Sequence, residues 1–133
     1  MKTSKIDNFV FAWSMFLLVG LLALPACSLF DNDDEGHVTV KAIASQLLIS
    51  NQTSNVVYYA VYPRDILPVL FWGPCSDPAL CTEKIQSGRK VVVKYDDFSG
   101  ERGEEAVVFW WHLVEKPDGE YAVDEIREIV VKL

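Results

Sequence analysis

Apolar and polar residues alternate with a period of two through much of the chain, a pattern typical of β-strands. In the segment RKVVVKY, Val91, Val93 and Tyr95 share one face while the other carries two lysines, which predicts a half-exposed strand. Residues 56–62 (VVYYAVY) and 107–114 (VVFWWHLV) are apolar on both faces and rich in β-branched and aromatic side chains. These runs predict inner strands, and the second is the best candidate for the core.

Turn signals separate these runs. Residues 99–103 (SGERG) and 116–119 (KPDG) have the composition that tight turns between antiparallel strands prefer, and the second predicts a hairpin between the last two strands. Residues 124–133 also fit a helical face, but their β-branched residues and the turn just before them favour a strand. We therefore predict an all-β domain over residues 37–133, an antiparallel β-sandwich of six to seven strands that is similar in pattern to immunoglobulin-like domains.

The N-terminal segment has the pattern of a targeting signal. Lys2 and Lys5 precede an apolar run over residues 9–24. A helix of that length rises about 24 Å, short of the roughly 30 Å hydrocarbon core of a bilayer, which favours a cleaved signal over a spanning helix. Because the next charge is Asp31, an uncleaved anchor that extends to Phe30 stays an alternative.

The end of this run, Leu24-Pro25-Ala26-Cys27, resembles the lipobox of bacterial lipoproteins. The resemblance implies that residues 1–26 are a signal peptide, that Cys27 receives a diacylglyceryl group, and that its new amino terminus is a site for acylation. Two or three acyl chains hold a protein stably on a membrane, whereas one does not. The implied location is the bacterial cell envelope, on the outer membrane if the cell has one, since Ser28 follows the cysteine.

A short acidic segment follows the cysteine. Residues 31–36 (DNDDEG) place four carboxylates in five positions before Gly36, so we expect residues 27–36 to form an extended, self-repelling tether. A calcium site is the alternative for such a cluster. The segment lacks the alternating spacing and the distal glutamate of a calcium-binding loop, which favours the tether.

The charge balance limits the classes of molecule that we expect the protein to bind. The formal net charge is −7, and nothing in the chain supplies the basic footprint that nucleic acid requires. The same balance disfavours electrostatic docking on anionic lipid. We therefore expect no nucleic acid as partner, and membrane contact only through the lipid anchor.

Two cysteines remain once Cys27 is assigned to lipid. Cys75 and Cys81 lie in a loop-type segment, GPCSDPALC, and an even pair in an exported chain predicts a disulfide. A zinc site and a redox pair are the alternatives. Zinc needs four ligands, and His37 and His112 have no helpful spacing, while redox motifs place two residues between the cysteines rather than five.

The sequence gives little support for a catalytic site. His112 lies in a predicted strand, where a partly buried, hydrogen-bonded imidazole is commoner than a catalytic base. The neighbouring carboxylates Asp96-Asp97 and Glu104-Glu105 point to opposite sides of an extended chain. We expect no enzymatic activity, no cofactor and no metal.

The candidate binding loop is residues 65–81, the longest stretch without a strand period. It holds three prolines beside the apolar residues Leu70, Phe71 and Trp72. A stiff loop with an aromatic anchor suits a binding role, whereas the alternative is that Phe71 and Trp72 cap the open end of the core. The resulting hypothesis is a noncatalytic envelope lipoprotein whose β-domain is an interaction or structural module with a protein partner. The alternative is a loop-based inhibitor or ligand carrier in the envelope.

Overall fold

The computed structural model describes residues 37–133, so the predictions for Cys27, the signal peptide and the acidic tether lie outside the described residues. Within this range the chain forms nine strands and two 3-10 helices. The strands are β1 (Val38–Ile43), β2 (Gln46–Asn51), β3 (Val57–Pro63), β4 (Lys84–Ile85), β5 (Lys90–Lys94), β6 (Glu105–Trp111), β7 (Leu113–Glu115), β8 (Tyr121–Val123) and β9 (Arg127–Lys132). The 3-10 helices are Arg64–Val69 and Tyr95–Phe98.

All strand pairs are antiparallel. One sheet has the order β1-β2-β5, a second has the order β4-β3-β6-β9, and β7 and β8 form a separate hairpin. The prediction of an all-β, antiparallel fold is confirmed, and the final segment is a strand rather than a helix. The immunoglobulin-like detail stays a prediction.

The inner core lies between the three-stranded and four-stranded sheets. Side chains that alternate along each strand meet there, as the period of two requires. The buried members of this core are Val38, Leu47, Ile49, Val57, Val61, Ile85, Tyr95, Ala106, Val108 and Trp110. The two sheets therefore pack face to face as a sandwich.

A second apolar cluster covers the opposite face of the four-stranded sheet. Tyr58 and Trp111 are buried there together with Cys81, which belongs to the loop after β3. Strands β3 and β6 thus bury side chains on both of their faces, as their sequence pattern predicts. The four-stranded sheet is the middle layer of the domain.

The chain departs from the predicted path around His112. The apolar run over residues 107–114 is divided there between β6 and β7, and Lys116 to Gly119 turn the chain between β7 and β8. The predicted hairpin turn is present, but it closes this extra two-stranded ribbon before the chain returns to pair β9 with β6. Within residues 37–133, no helix has the length and apolar character that crossing a membrane requires.

Asn51 is the most buried polar side chain of the core, with an exposed fraction of 1%. Its Nδ2 donates to the carbonyl oxygens of Asn55 at 2.8 Å and Ile85 at 2.9 Å. Its Oδ1 accepts from the Thr53 backbone N–H at 2.9 Å, with the Thr53 hydroxyl at 2.7 Å. Every polar atom of this amide is satisfied, and the contact with Ile85 joins the end of β2 to β4 of the other sheet.

We predict that Asn51→Asp lowers the free energy of unfolding by about 3 kcal/mol at pH 7, measured by urea unfolding. The substitution keeps the side-chain shape but turns a carboxylate oxygen toward the two carbonyls that now receive hydrogen bonds. Gln52→Glu is the control, because it makes the same amide-to-carboxylate change on an exposed neighbour and should cost less than about 0.5 kcal/mol. Equal stability of the two variants would contradict the role assigned to Asn51.

Candidate functional site

The candidate binding loop leaves β3 through the 3-10 helix Arg64–Val69 and then runs without regular structure. Pro63 ends β3 and Pro68 lies inside the short helix. The loop packs on the face of the four-stranded sheet that points away from the inner core, where Trp72 and Cys75 contact the second apolar cluster. It therefore forms a third layer rather than a cap on the end of the sandwich.

A disulfide between Cys75 and Cys81 closes the far end of this loop, so the predicted pairing is confirmed. Asp77 shapes the enclosed turn. Its carbonyl oxygen accepts from the N–H groups of Leu80 and Cys81, both at 3.0 Å, and its Oδ1 accepts from the N–H of Ala79 at 2.9 Å. In the chain-entropy picture, closing so short a ring contributes about 2 kcal/mol to stability.

Four rings hold the loop on the sheet, and we call Tyr62, Trp72, Phe109 and Trp111 the aromatic cluster. The Trp72 ring centroid lies 4.5 Å from Phe109, 5.5 Å from Tyr62 and 6.3 Å from Trp111. Trp111 Nε1 donates to the carbonyl oxygen of Cys75 at 3.0 Å. Tilted aromatic pairs at such distances are favourable, and the indole N–H finds the partner that a buried tryptophan needs.

The structure separates the three predicted binding residues. Trp72 and Leu70 are half-buried, and Trp72 is the central ring of the aromatic cluster. Phe71 is 102% exposed, so its whole side chain faces solvent. Three further apolar side chains of the same segment are exposed: Ile66, Val69 and Leu80. Trp72 thus packs on the outer face of the four-stranded sheet instead of capping the open end of the core, whereas the Phe71 side chain is exposed.

A cavity of about 570 Å³ lies between the edge of β3 and the edge of β5. Tyr59, Val61 and Val92 line it, and Glu83 and Asp97 add two carboxylates. The pKa of Tyr59 is raised above its ordinary value of 10.0, mainly by burial and then by the charges of Glu83 and Asp97. The charges of both carboxylates therefore contribute to raising the pKa of the same phenol. No sequence pattern points to this cavity, because its residues come from four separate segments.

A larger cavity of about 830 Å³ lies at the end of the sandwich beside the β7-β8 hairpin. His112 and Arg127 line it. His112 Nδ1 donates to the carbonyl oxygen of Val56 at 2.9 Å, and the Arg127 guanidinium lies 4.8 Å above the ring of Trp110. His112 is half-buried and hydrogen-bonded, as expected for a structural histidine.

The acidic and histidine side chains of the described range do not form a metal centre. No group of three or more His, Cys, Asp or Glu side chains in residues 37–133 is arranged to hold a metal ion. Comparison with known proteins adds no assignment, since no protein-family model, curated protein or solved structure matches the chain.

We predict opposite outcomes for the two neighbouring aromatic residues of the loop. Trp72→Ala removes the central ring of the aromatic cluster and should lower the free energy of unfolding by about 3 kcal/mol. Phe71→Ala removes a ring that contacts solvent and should change it by less than about 0.5 kcal/mol. Thermal and urea unfolding of both variants measure this. A destabilisation by Phe71→Ala as large as that by Trp72→Ala would show that the exposed ring also packs.

Proposed function

We propose that this protein is a noncatalytic lipoprotein of the bacterial cell envelope, anchored through lipid on Cys27. Its β-domain, residues 37–133, is an interaction or structural module held near the membrane by the acidic tether. In a cell with two membranes, the anchor sits in the outer one. Its partner in this role is another envelope protein.

The Cys75–Cys81 disulfide is the observation that carries the proposal. Disulfides form and persist in oxidising compartments outside the cytosol, so the bond supports export of the domain. The lipobox-type pattern Leu24-Pro25-Ala26-Cys27 after an apolar run supplies the route of export and the anchor. The proposal rests on the occurrence of both features in one chain, because a disulfide alone implies no anchor and a short motif alone implies no compartment.

We predict that the mature protein begins at a lipidated Cys27. Intact-mass measurement on protein from bacterial envelope should give the mass of residues 27–133 plus a diacylglyceryl group, with or without a further acyl chain. Cys27→Ala should accumulate as a full-length precursor, whereas Cys75→Ala should still be processed and lipidated. A mature envelope protein with a free thiol at Cys27 would overturn the anchor.

The loop supports a more specific second candidate, a loop-based inhibitor or ligand carrier. Phe71 is fully exposed on a segment that the disulfide and the aromatic cluster hold in place. A fixed loop loses little conformational entropy on binding, and an exposed aromatic ring is a typical anchor for a partner pocket. The scaffold and inhibitor roles therefore share this contact but differ in what the partner does.

We predict that Phe71 contacts the envelope partner. Benzoylphenylalanine placed at position 71 of the full-length protein should form a discrete photo-crosslinked product in cells. The same amino acid at position 121 is the control, because Tyr121 is another exposed aromatic residue, on the β7-β8 hairpin. A crosslinked hydrolase whose activity falls on binding favours the inhibitor. Equal or absent crosslinking at both positions would remove the loop as the contact.

A further inference from the structure

Strand β5 has a free edge. The Tyr95 N–H donates to Ser45 O at 3.0 Å and the Asn51 N–H donates to Arg89 O at 2.9 Å, which fixes the odd-numbered residues of this segment toward β2. In an antiparallel ladder the intervening residues point the other way. The backbone groups of Lys90 and Val92 therefore face away from the sheet, and among residues 37–133 no strand pairs with them. The Lys94 N–H on the same edge donates to Asp97 Oδ2 at 3.0 Å.

Strand β3 leaves a second, shorter edge open opposite this one. The Tyr59 N–H donates to Glu83 O at 3.2 Å, so the alternation turns the N–H and C=O of Val61 to the same side. Strand β4 reaches only as far as Tyr58, and beyond it no strand of the described range covers this edge. Pro63, the next residue in the alternation, has no N–H to offer. The open part of this edge is therefore confined to Val61.

The cavity of about 570 Å³ lies between these two edges. Its walls are β5 with Phe98 on one side and the disulfide loop, through Gly73 and Cys81, on the other. This volume is within the range of small-ligand and side-chain pockets. A strand added to the edge of β5 would direct every second side chain into it.

The charged residues that an added strand would meet differ between its two faces. Glu83 and Asp97 line the cavity, and among residues 37–133 no lysine or arginine does. Tyr59 lines the same cavity, and its pKa is raised mainly by burial and then by the charges of these two carboxylates. On the outer face, Lys90 and Lys94 flank Val92 and are exposed. An incoming strand is therefore favoured by a basic side chain facing inward and by acidic side chains facing outward.

We propose that the free edge of β5 is a docking site for an extended peptide of a partner protein, with a lysine or arginine facing Glu83 and Asp97 and acidic residues facing Lys90 and Lys94. The partner's backbone pairs with Val92 and adds a fourth strand to the β1-β2-β5 sheet, a known mode of peptide recognition. The inference rests on the proposed interaction role, but it depends neither on the lipid anchor nor on Phe71.

Strand β9 is the natural comparison, because it is also an edge strand. The Leu133 N–H donates to Glu104 O at 2.8 Å, which places the backbone groups of Val130 on the outer side. Val130 and Val92 are 45% and 49% exposed. Glu128, Val130 and Lys132, the outward residues of β9, line neither the cavity of about 570 Å³ nor that of about 830 Å³. An added strand there would direct no side chain toward Glu83 and Asp97.

The first test uses the capped peptide Thr-Glu-Val-Thr-Lys-Glu-Thr and its charge-inverted form Thr-Lys-Val-Thr-Glu-Lys-Thr, titrated into the full-length, nitrogen-15-labelled protein in detergent micelles. Before addition, the Val92 amide should exchange with solvent faster than its paired neighbours Val91 and Val93. The first peptide should slow that exchange at least tenfold and the inverted peptide should not. Protection of Val61 or Val130 in place of Val92 would overturn the assignment of the edge.

The second test compares variants of matched chemistry. Val92→Pro should raise the dissociation constant of the first peptide at least tenfold, while Val130→Pro, the same change on the β9 edge, should leave it unchanged. Glu83→Gln should raise it about threefold to tenfold, with Glu128→Gln as the control of equal charge. Glu83→Gln is a surface change and keeps the test valid if Val92→Pro does not fold.

Three results would overturn the proposal. The first is equal affinity for the two peptides, and the second is no binding of either peptide. The third is slow exchange of the Val92 amide without peptide that depends on protein concentration, which would identify a second copy of this chain as the occupant. Different results would contradict the proposed function. An unlipidated Cys27 removes the anchor, and equal or absent crosslinking from positions 71 and 121 removes the loop contact. Neither result alters the exchange of Val92.

Discussion

The architecture depends on one constraint, which is that β3 and β6 are apolar on both faces. A sheet with such central strands is stable in water only if both of its faces are covered. The three-stranded sheet covers one face. The segment between β3 and β4 covers the other face as an irregular loop. The burial of Trp111, at 2% exposure, measures how complete this cover is.

An irregular segment can cover the face of a sheet only if other contacts fix its position. It forms few backbone hydrogen bonds of its own, so its position depends on side chains: the Cys75–Cys81 disulfide, the hydrogen bond from Trp111 Nε1 to Cys75 O, and the contacts of Trp72. The disulfide reduces the entropy of the unfolded loop, and the aromatic contacts stabilise its folded position. Because these few contacts are enough, residues such as Phe71 remain exposed and available for a different purpose.

Sequence periodicity predicted the long strands, because burial on one or both faces leaves a direct trace in the alternation of side chains. It missed elements that depend on contacts distant in sequence. Ala44 adopts a left-handed conformation, with φ of 55°, in the two-residue turn between β1 and β2, where no glycine or asparagine marks the site. Strand β4 has two residues, and only its pairing with β3 defines it.

Periodicity was also insufficient to predict the candidate binding loop. Two adjacent aromatic residues in a loop carry no period, so the sequence does not tell which one packs. The position of Phe109 on β6 decides it, at 4.5 Å from the Trp72 ring. The disulfide was predictable because Cys75 and Cys81 remain as an even pair in the sequence once Cys27 is assigned to the expected lipid anchor. Asn51 was not, because its hydrogen bond to Ile85 O forms only when the end of β2 meets β4, and its other partners, Thr53 and Asn55, lie in an irregular turn.

The open edges follow from the same constraint as the loop. A chain segment that crosses the outer face of the four-stranded sheet cannot also run alongside its edge, so residues 64–83 cover Tyr58 and Trp111 but leave β3 paired with β4 only at its first residues. The chain then returns to the other sheet as β5, which within residues 37–133 pairs with β2 alone. Natural proteins commonly guard such edges with lysine, proline and short strands, and Lys90, Lys94 and Pro63 stand at these positions here. Between these residues, no strand of residues 37–133 pairs with the backbone of Val92, which lies beside a cavity with two carboxylates. This is where the described part of the chain leaves room for one more strand.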